Sequence, residues 1–137
     1  MSTAQQPEIN SRAMTVTGRI MSGLVIVFLL FDGAIKLIPI APVTETMLAL
    51  GWPASVEMAR GLGVLTLICT LLYATPRTSV LGAILLTGYL GGAMATHLRV
   101  GSPVFSHLLF GLYLGLLAWG GLYLRDARLR TLIPIRL

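Results

Sequence analysis

Four stretches of about twenty residues each, nearly free of charge, constrain this chain more than any other feature. They cover residues 20–38, 54–75, 79–98 and 104–124. At a rise of 1.5 Å per residue, each is long enough as a helix to cross about 30 Å of hydrocarbon. A soluble bundle of this size would carry about a quarter charged residues and a polar outer face on every helix. Here 55% of the residues are hydrophobic and 11% are charged. The pattern predicts one all-α domain, a membrane-spanning four-helix bundle.

The connections 76–78 and 99–103 are short, which forces consecutive spans to be antiparallel neighbours. Residues 1–17, with Gln5, Gln6, Pro7, Glu8, Asn10 and Arg12, read as a mobile polar tail ahead of a single membrane domain at 18–137. The first apolar run contains Asp32 and Lys36, and no small-x-small cleavage site follows it, so it reads as a retained helix rather than a signal peptide. Between the first two spans, Pro42 stands at a helix start, Glu45 in its first turn and Gly51 at its stop. The stretch 43–50, with Met47, Leu48 and Leu50, is expected to be a short interfacial helix; a plain loop is the competing reading.

The chain carries ten Lys and Arg against five Asp and Glu, a net charge of +5. In a soluble protein this balance would raise nucleic acid as a partner. Because the arginines flank apolar runs, it reads instead as membrane orientation, with the lipid bilayer as partner and no nucleic acid. One side receives Arg12, Arg19, Arg77, Arg125, Arg128, Arg130 and Arg136. The other receives Lys36, Arg60 and Arg99, balanced by Asp32, Glu45 and Glu57. The positive-inside rule then places both termini in the cytoplasm, and the expected location is a bacterial-type inner (plasma) membrane.

Two glycine spacings, Gly88-x-x-x-Gly92 and Gly111-x-x-x-Gly115, are those of close helix packing. They are expected to serve contacts within the chain, with a homo-oligomer as the other use. Cys69 is the single cysteine, so no internal disulfide forms and it reads as a small packing residue.

The ionisable residues inside the spans all fall towards one leaflet. Asp32 and Lys36 lie near the outer end of the first span, Glu57 and Arg60 near the start of the second, His97 and Arg99 at the end of the third, and Ser106 and His107 at the start of the fourth. Charges within spans cost about 2.5–3.5 kcal/mol each on insertion scales, so they face the bundle interior or a wet cavity. Asp32 and Lys36 are spaced i,i+4, and Glu57 and Arg60 i,i+3, so each pair shares a helix face. A crossed pairing, Asp32 with Arg60 and Glu57 with Lys36, would join the first two helices. On this reading Asp32, Lys36, Glu57, Arg60, His97, Arg99 and His107 shape a polar ligand-binding pocket in the outer leaflet. A purely structural ion-pair network is the competing reading.

His97 and His107 offer several chemistries: ligation of haem or metal, hydrogen bonding to a quinone, proton transfer, or simple solvation at the interface. With only two histidines and the cations Arg60 and Arg99 nearby, a bound anion or polar headgroup fits better than haem or metal, and no metal centre is assigned. The chain has no P-loop, dinucleotide-binding glycine fingerprint, H-E-x-x-H or serine-nucleophile motif, and no catalytic residue is named.

These residues also carry a resemblance. The run Phe31-Asp32-Gly33-Ala34-Ile35-Lys36-Leu37 resembles the end of the first helix in DoxX-like membrane proteins, and residues 57–63 look like the start of their second. Residues 91–101, including His97 and Arg99, and 119–126, including Trp119 and Arg125, are similar more closely. The resemblance covers roughly residues 20–136 and implies a four-helix DoxX-like fold. The family takes its name from a small subunit of a membrane quinol oxidase, and some relatives are linked to redox or oxidative-stress complexes. It therefore implies an accessory subunit or a protein that binds quinone, lipid or another small molecule, with redox-complex subunits as partners. The chain lacks the haem and copper ligands that a complete oxidase would need. Two alternatives come from the residues themselves. One is an intramembrane enzyme moving protons between Glu57 or Asp32 and a histidine on an apolar substrate. The other is a small proton-coupled transporter.

Overall fold

The computed structural model describes residues 6–133, with side chains from Arg12 onward, and forms only helices and turns over that range. The helices are α1 (Gln6–Leu37), α2 (Ala41–Ala49), α3 (Val56–Ala74), α4 (Ser79–Arg99), α5 (Phe110–Arg125) and α6 (Ala127–Leu132), with a π-helical turn at Val104–Leu108 before α5. Four stretches are long and apolar enough to cross a membrane: Arg12–Leu37, Val56–Ala74, Ser79–Arg99 and Val104–Arg125. This is a multi-pass membrane protein. Helix α1 begins at Gln6, so residues 6–17 continue the first helix instead of standing apart as a tail. Residues 1–5 of that expected tail, and Arg136, lie outside the described residues.

The four long helices form an up-down-up-down ring in which α1 packs on α3 and α5, and α4 packs on the same two. Both ends of the described chain therefore lie at one end of the bundle. At that end Gly18 faces Gly121 so closely that a Cβ on Gly18 would stand 2.6 Å from the Gly121 carbonyl. At the opposite end Gly33 faces Gly63, and Gly63 also lies against Lys36. Because Gly63 is two turns into α3, α1 stops about 10 Å short of the level where α3 begins. The short helix α2 fills the space left above it, seating Val43 and Met47 against Ala59, with Ile35, Met58 and Leu62 around them.

The interior mixes large apolar side chains, Val25, Leu29, Leu86 and Leu122 among them, with small and hydroxylated ones, and the outside is covered by large apolar residues as well. Ser22, Thr66, Thr70 and Ser79 are buried, as are Ala59, Ala83 and Ala118. Val27, Phe31, Ile84 and Leu116 are exposed. A soluble bundle would carry a polar outside instead. In lipid, helices gain no hydrophobic drive by burying leucine against leucine, so the small buried residues matter for letting backbones approach closely and pack. The buried hydroxyls are satisfied without water: Thr66 donates to Leu62 O and Thr70 to Thr66 O, each one turn back in α3.

Local signals set the ends. Pro42 sits in the first turn of α2. Gly51, at φ 80°, closes it: Trp52 N–H donates to Met47 O at 2.8 Å and Gly51 N–H to Leu48 O at 3.0 Å, a Schellman arrangement. Ser55 caps α3 by accepting from Met58 N–H. Between α3 and α4, Thr78 donates to Leu72 O and Ser79 to Tyr73 O, satisfying carbonyls that the end of α3 leaves open. The chain then turns at Asp126, which caps α6, while Arg130 donates to Tyr123 O and Leu124 O at the end of α5.

The glycine spacings divide. Gly111 packs against Leu90 and Met94 of α4, as expected for contact within the chain. Gly88, Gly92 and Gly115 have open space where a Cβ would stand, so these three do not hold helices together. The tight crossings are made instead by Gly18 with Gly121, Gly33 with Gly63, and Gly82 against the backbone of Tyr73.

Candidate functional site

At the end of the bundle away from the chain termini, a cleft of ≈ 380 Å³ opens between α2, α3 and α4. Its volume falls within the range of small-molecule sites. Met47, Leu50 and Trp52 form one wall, Leu62 contributes from α3, and α4 supplies Gly88, Tyr89, Gly92, Ala93, Thr96 and His97. The open space found at Gly88 and Gly92 is this cleft. The lining is largely apolar, with the polar groups concentrated at Tyr89, Thr96 and His97.

Tyr89 connects the cleft to the charges of α1. Lys36 Nζ donates to the Tyr89 hydroxyl at 3.3 Å and is paired with Asp32 one turn back on its own helix. Both side chains are half-buried. The expected crossed pairing is not formed. Lys36 takes Asp32 in place of Glu57, and Arg60 Nε donates to Leu37 O at 2.9 Å. The reason lies in the early end of α1: its last carbonyls stop beside Arg60 and need donors, and a guanidinium supplies them. Glu57 is exposed in the first turn of α3, where it complements the helix dipole, and it makes no ion pair among the described residues.

Arg99 plays the corresponding part for α2. Its Nη2 donates to Leu50 O at 2.9 Å, tying the end of α4 to the end of α2 across the cleft. A side chain at Gly51 would collide with this guanidinium as well as strain the backbone. Both arginines thus serve helix ends.

The histidines come together. The rings of His97 and His107 meet edge to face with centroids 5.9 Å apart. Nδ1 of His97 is 2.9 Å from Ser102 Oγ, and Nδ1 of His107 is 2.7 Å from Ser106 Oγ. His107 rides on the π-helical turn Val104–Leu108, whose Phe105 carbonyl accepts from Tyr113 OH. Of the seven residues singled out in the sequence, then, Asp32 and Lys36 meet at Tyr89, His97 and His107 meet each other, Arg60 and Arg99 cap helices, and Glu57 stands apart.

Two features escaped the sequence reading. Tyr89 is one; its position halfway along an apolar span, where a hydroxyl needs a partner, was the available signal. The other is a polar network in the half of the bundle nearer the termini, away from the leaflet where the ionisable residues inside the spans were read to cluster. Tyr73 is fully buried and donates to Ala118 O at 2.6 Å. Ser22 Oγ lies 2.8 Å from the same hydroxyl and accepts from Arg125 Nε at 3.1 Å. The Arg125 guanidinium also stands 5.6 Å over the Tyr73 ring, within cation–π range. This network joins α1, α3 and α5.

The model of the DoxX-like family matches residues 20–121, well over half of the chain and every residue of the cleft and histidine pair. No curated protein and no solved structure matches the chain.

Proposed function

The chain belongs to the DoxX-like family, and from that premise we propose that it is an accessory membrane subunit whose cleft binds a quinone or another lipid-like small molecule in membrane redox metabolism. The observation that carries this reading is the composition of the cleft. An apolar trough widened by Gly88 and Gly92 leads to a few hydrogen-bonding groups, Tyr89, Thr96 and His97. An apolar molecule with a polar ring or headgroup has the matching character. The Lys36–Asp32 pair behind Tyr89 fixes that hydroxyl as an acceptor of the ammonium proton, leaving its own proton free for a ligand oxygen. Arg99 holds α2 over the trough.

On the same reading the cleft lies in the outer leaflet of a bacterial-type inner membrane and both termini are cytoplasmic, in keeping with the arginines of the terminal end. Redox-complex subunits, or a second copy of the chain, are the partners this role calls for. Trp52 lines the cleft and provides the test: a short-chain benzoquinone should quench its fluorescence saturably in detergent or nanodiscs, with Trp119→Phe used to isolate the signal. Only linear, collisional quenching would speak against the proposal.

A further inference from the structure

A second apolar groove, of ≈ 490 Å³, lies between α5 and α6, at the end of the bundle that carries the chain termini. We propose that this groove and the arginines of α6 bind an anionic phospholipid, with a segment of one acyl chain in the groove and the phosphate on Arg128 and Arg130.

The groove has fixed walls. Helix α5 ends at Asp126, which caps α6 by accepting from Arg128 N–H at 2.9 Å, and α6 folds back from there. Its wall is made by Leu129, which is buried, and Ile133, which is exposed. Trp119, Gly120, Tyr123 and Leu124 form the α5 side. The Trp119 indole N–H donates to Thr87 Oγ1 of α4 at 2.7 Å, which holds the ring in place. Residues 119–124 of a helix span about 7.5 Å, so the groove runs from the end of α5 into the apolar part of the bundle.

The charge stands at the rim. Arg130 Nη1 donates to Tyr123 O and Leu124 O, the carbonyls of two residues that line the groove. Its Nε and Nη2 make no hydrogen bond among the described residues, and the exposed guanidinium of Arg128 makes none either. Asp126, the neighbouring carboxylate, forms no ion pair with them; the ion pair among the described residues is Lys36 with Asp32, at the opposite end. Two guanidinium groups are therefore uncompensated beside an apolar trough. Their planar forks match phosphate oxygens, and the trough matches the chain attached to that phosphate. A neutral helix would fill the groove and leave both charges unbalanced, and a zwitterionic lipid would bring no net charge to meet them. The match holds whichever leaflet this end faces.

The chain has two tryptophans, so Trp52→Phe leaves Trp119 as a reporter inside the groove. The protein is placed in vesicles of phosphatidylcholine and phosphatidylglycerol, one or the other brominated in its acyl chains. Contact quenching of Trp119 then gives the relative association constant of the two lipids, read at equilibrium because the bound lipid exchanges with the bilayer. Each arginine near an anionic lipid is worth about fivefold, so phosphatidylglycerol should be preferred about 25-fold. Arg128→Gln and Arg130→Gln should each lower the preference about fivefold. Arg77→Gln, the same charge change in the α3–α4 connection and outside the groove lining, should leave it unaltered. Arg128 holds no other group, so its variant tests the site even where Arg130→Gln loosens α6. A preference of twofold or less, or one lowered as much by Arg77→Gln as by Arg128→Gln, would overturn the proposal. So would an absence of quenching by either brominated lipid, which would mean that residues 134–137 or another protein surface cover the groove. Quinone binding in the cleft is read separately, through Trp52.

Discussion

Lys36 and Tyr89 join the two diagonal helices of the bundle, the ammonium of α1 donating to the hydroxyl of α4 at 3.3 Å. Because Tyr89 also lines the cleft, this contact is where the charge inside the membrane reaches a space open to a ligand. Tyr89→Phe removes the hydroxyl and keeps the ring. If that hydroxyl holds the ligand through one hydrogen bond worth about 0.5–1.5 kcal/mol, benzoquinone affinity read from Trp52 quenching should fall by about 2- to 12-fold. An unchanged dissociation constant would remove Tyr89 from the site.

Tyr73 should matter for stability. Its hydroxyl bonds Ala118 O and Ser22 between helices, in a position with no exposure. Hydrogen bonds between membrane helices average about 0.6 kcal/mol and reach about 1.7 kcal/mol. Tyr73→Phe should therefore destabilise the bundle by about 1–2 kcal/mol in a reversible detergent-denaturation series, with the cleft's quinone affinity unaltered. A loss below measurement error would mean the network contributes nothing net.

The glycines give a contrast within one helix. A Cβ at Gly82 would drive into the backbone of Tyr73, which cannot yield as a flexible side chain could. Gly91 has open space at the same position. Gly82→Ala should cost about 1–3 kcal/mol through overpacking. Gly91→Ala should be neutral, or stabilising by up to about 1 kcal/mol through helix propensity. Equal effects in the same denaturation assay would contradict the observed α3–α4 crossing.

Much of the architecture was readable before any coordinates. The four spans, the short helix fixed by Pro42 and Gly51, and the antiparallel order follow from apolar length, breakers and short connections. The pairing of side chains did not follow. In a soluble helix the apolar stripe says which face turns inward, but here Val27 and Phe31 face out while Ser22 and Thr66 face in. Hydropathy therefore gives the depth of a residue and not its rotation. That is why Asp32, Lys36, Arg60 and Glu57 were placed at one end correctly and paired incorrectly. The early stop of α1, which turns Arg60 to Leu37 O, depends on tertiary packing of α2. Gly88 and Gly92 carried a packing spacing, yet they line a cleft, because a small residue makes room equally for a helix or for a ligand.

Arg99 should act as a clasp. Its bond to Leu50 O is the side-chain link from α4 to the end of α2. Arg99→Gln should raise amide hydrogen exchange over residues 47–52 while leaving the middle of α3 and α4 protected. Exchange unchanged across that segment would show that the apolar seat of Val43 and Met47 holds α2 without help.

The central claim, that the cleft holds a lipid-like molecule, is tested most directly by native mass spectrometry of the chain released from membrane nanodiscs. Gly88→Leu fills the cleft from a position where nothing else stands in the way. The wild type should retain one quinone or lipid-sized molecule at activation energies that strip bulk lipid, and Gly88→Leu, equally folded by its thermal transition, should emerge bare. The same retained mass in both proteins, or none in either, would contradict the account.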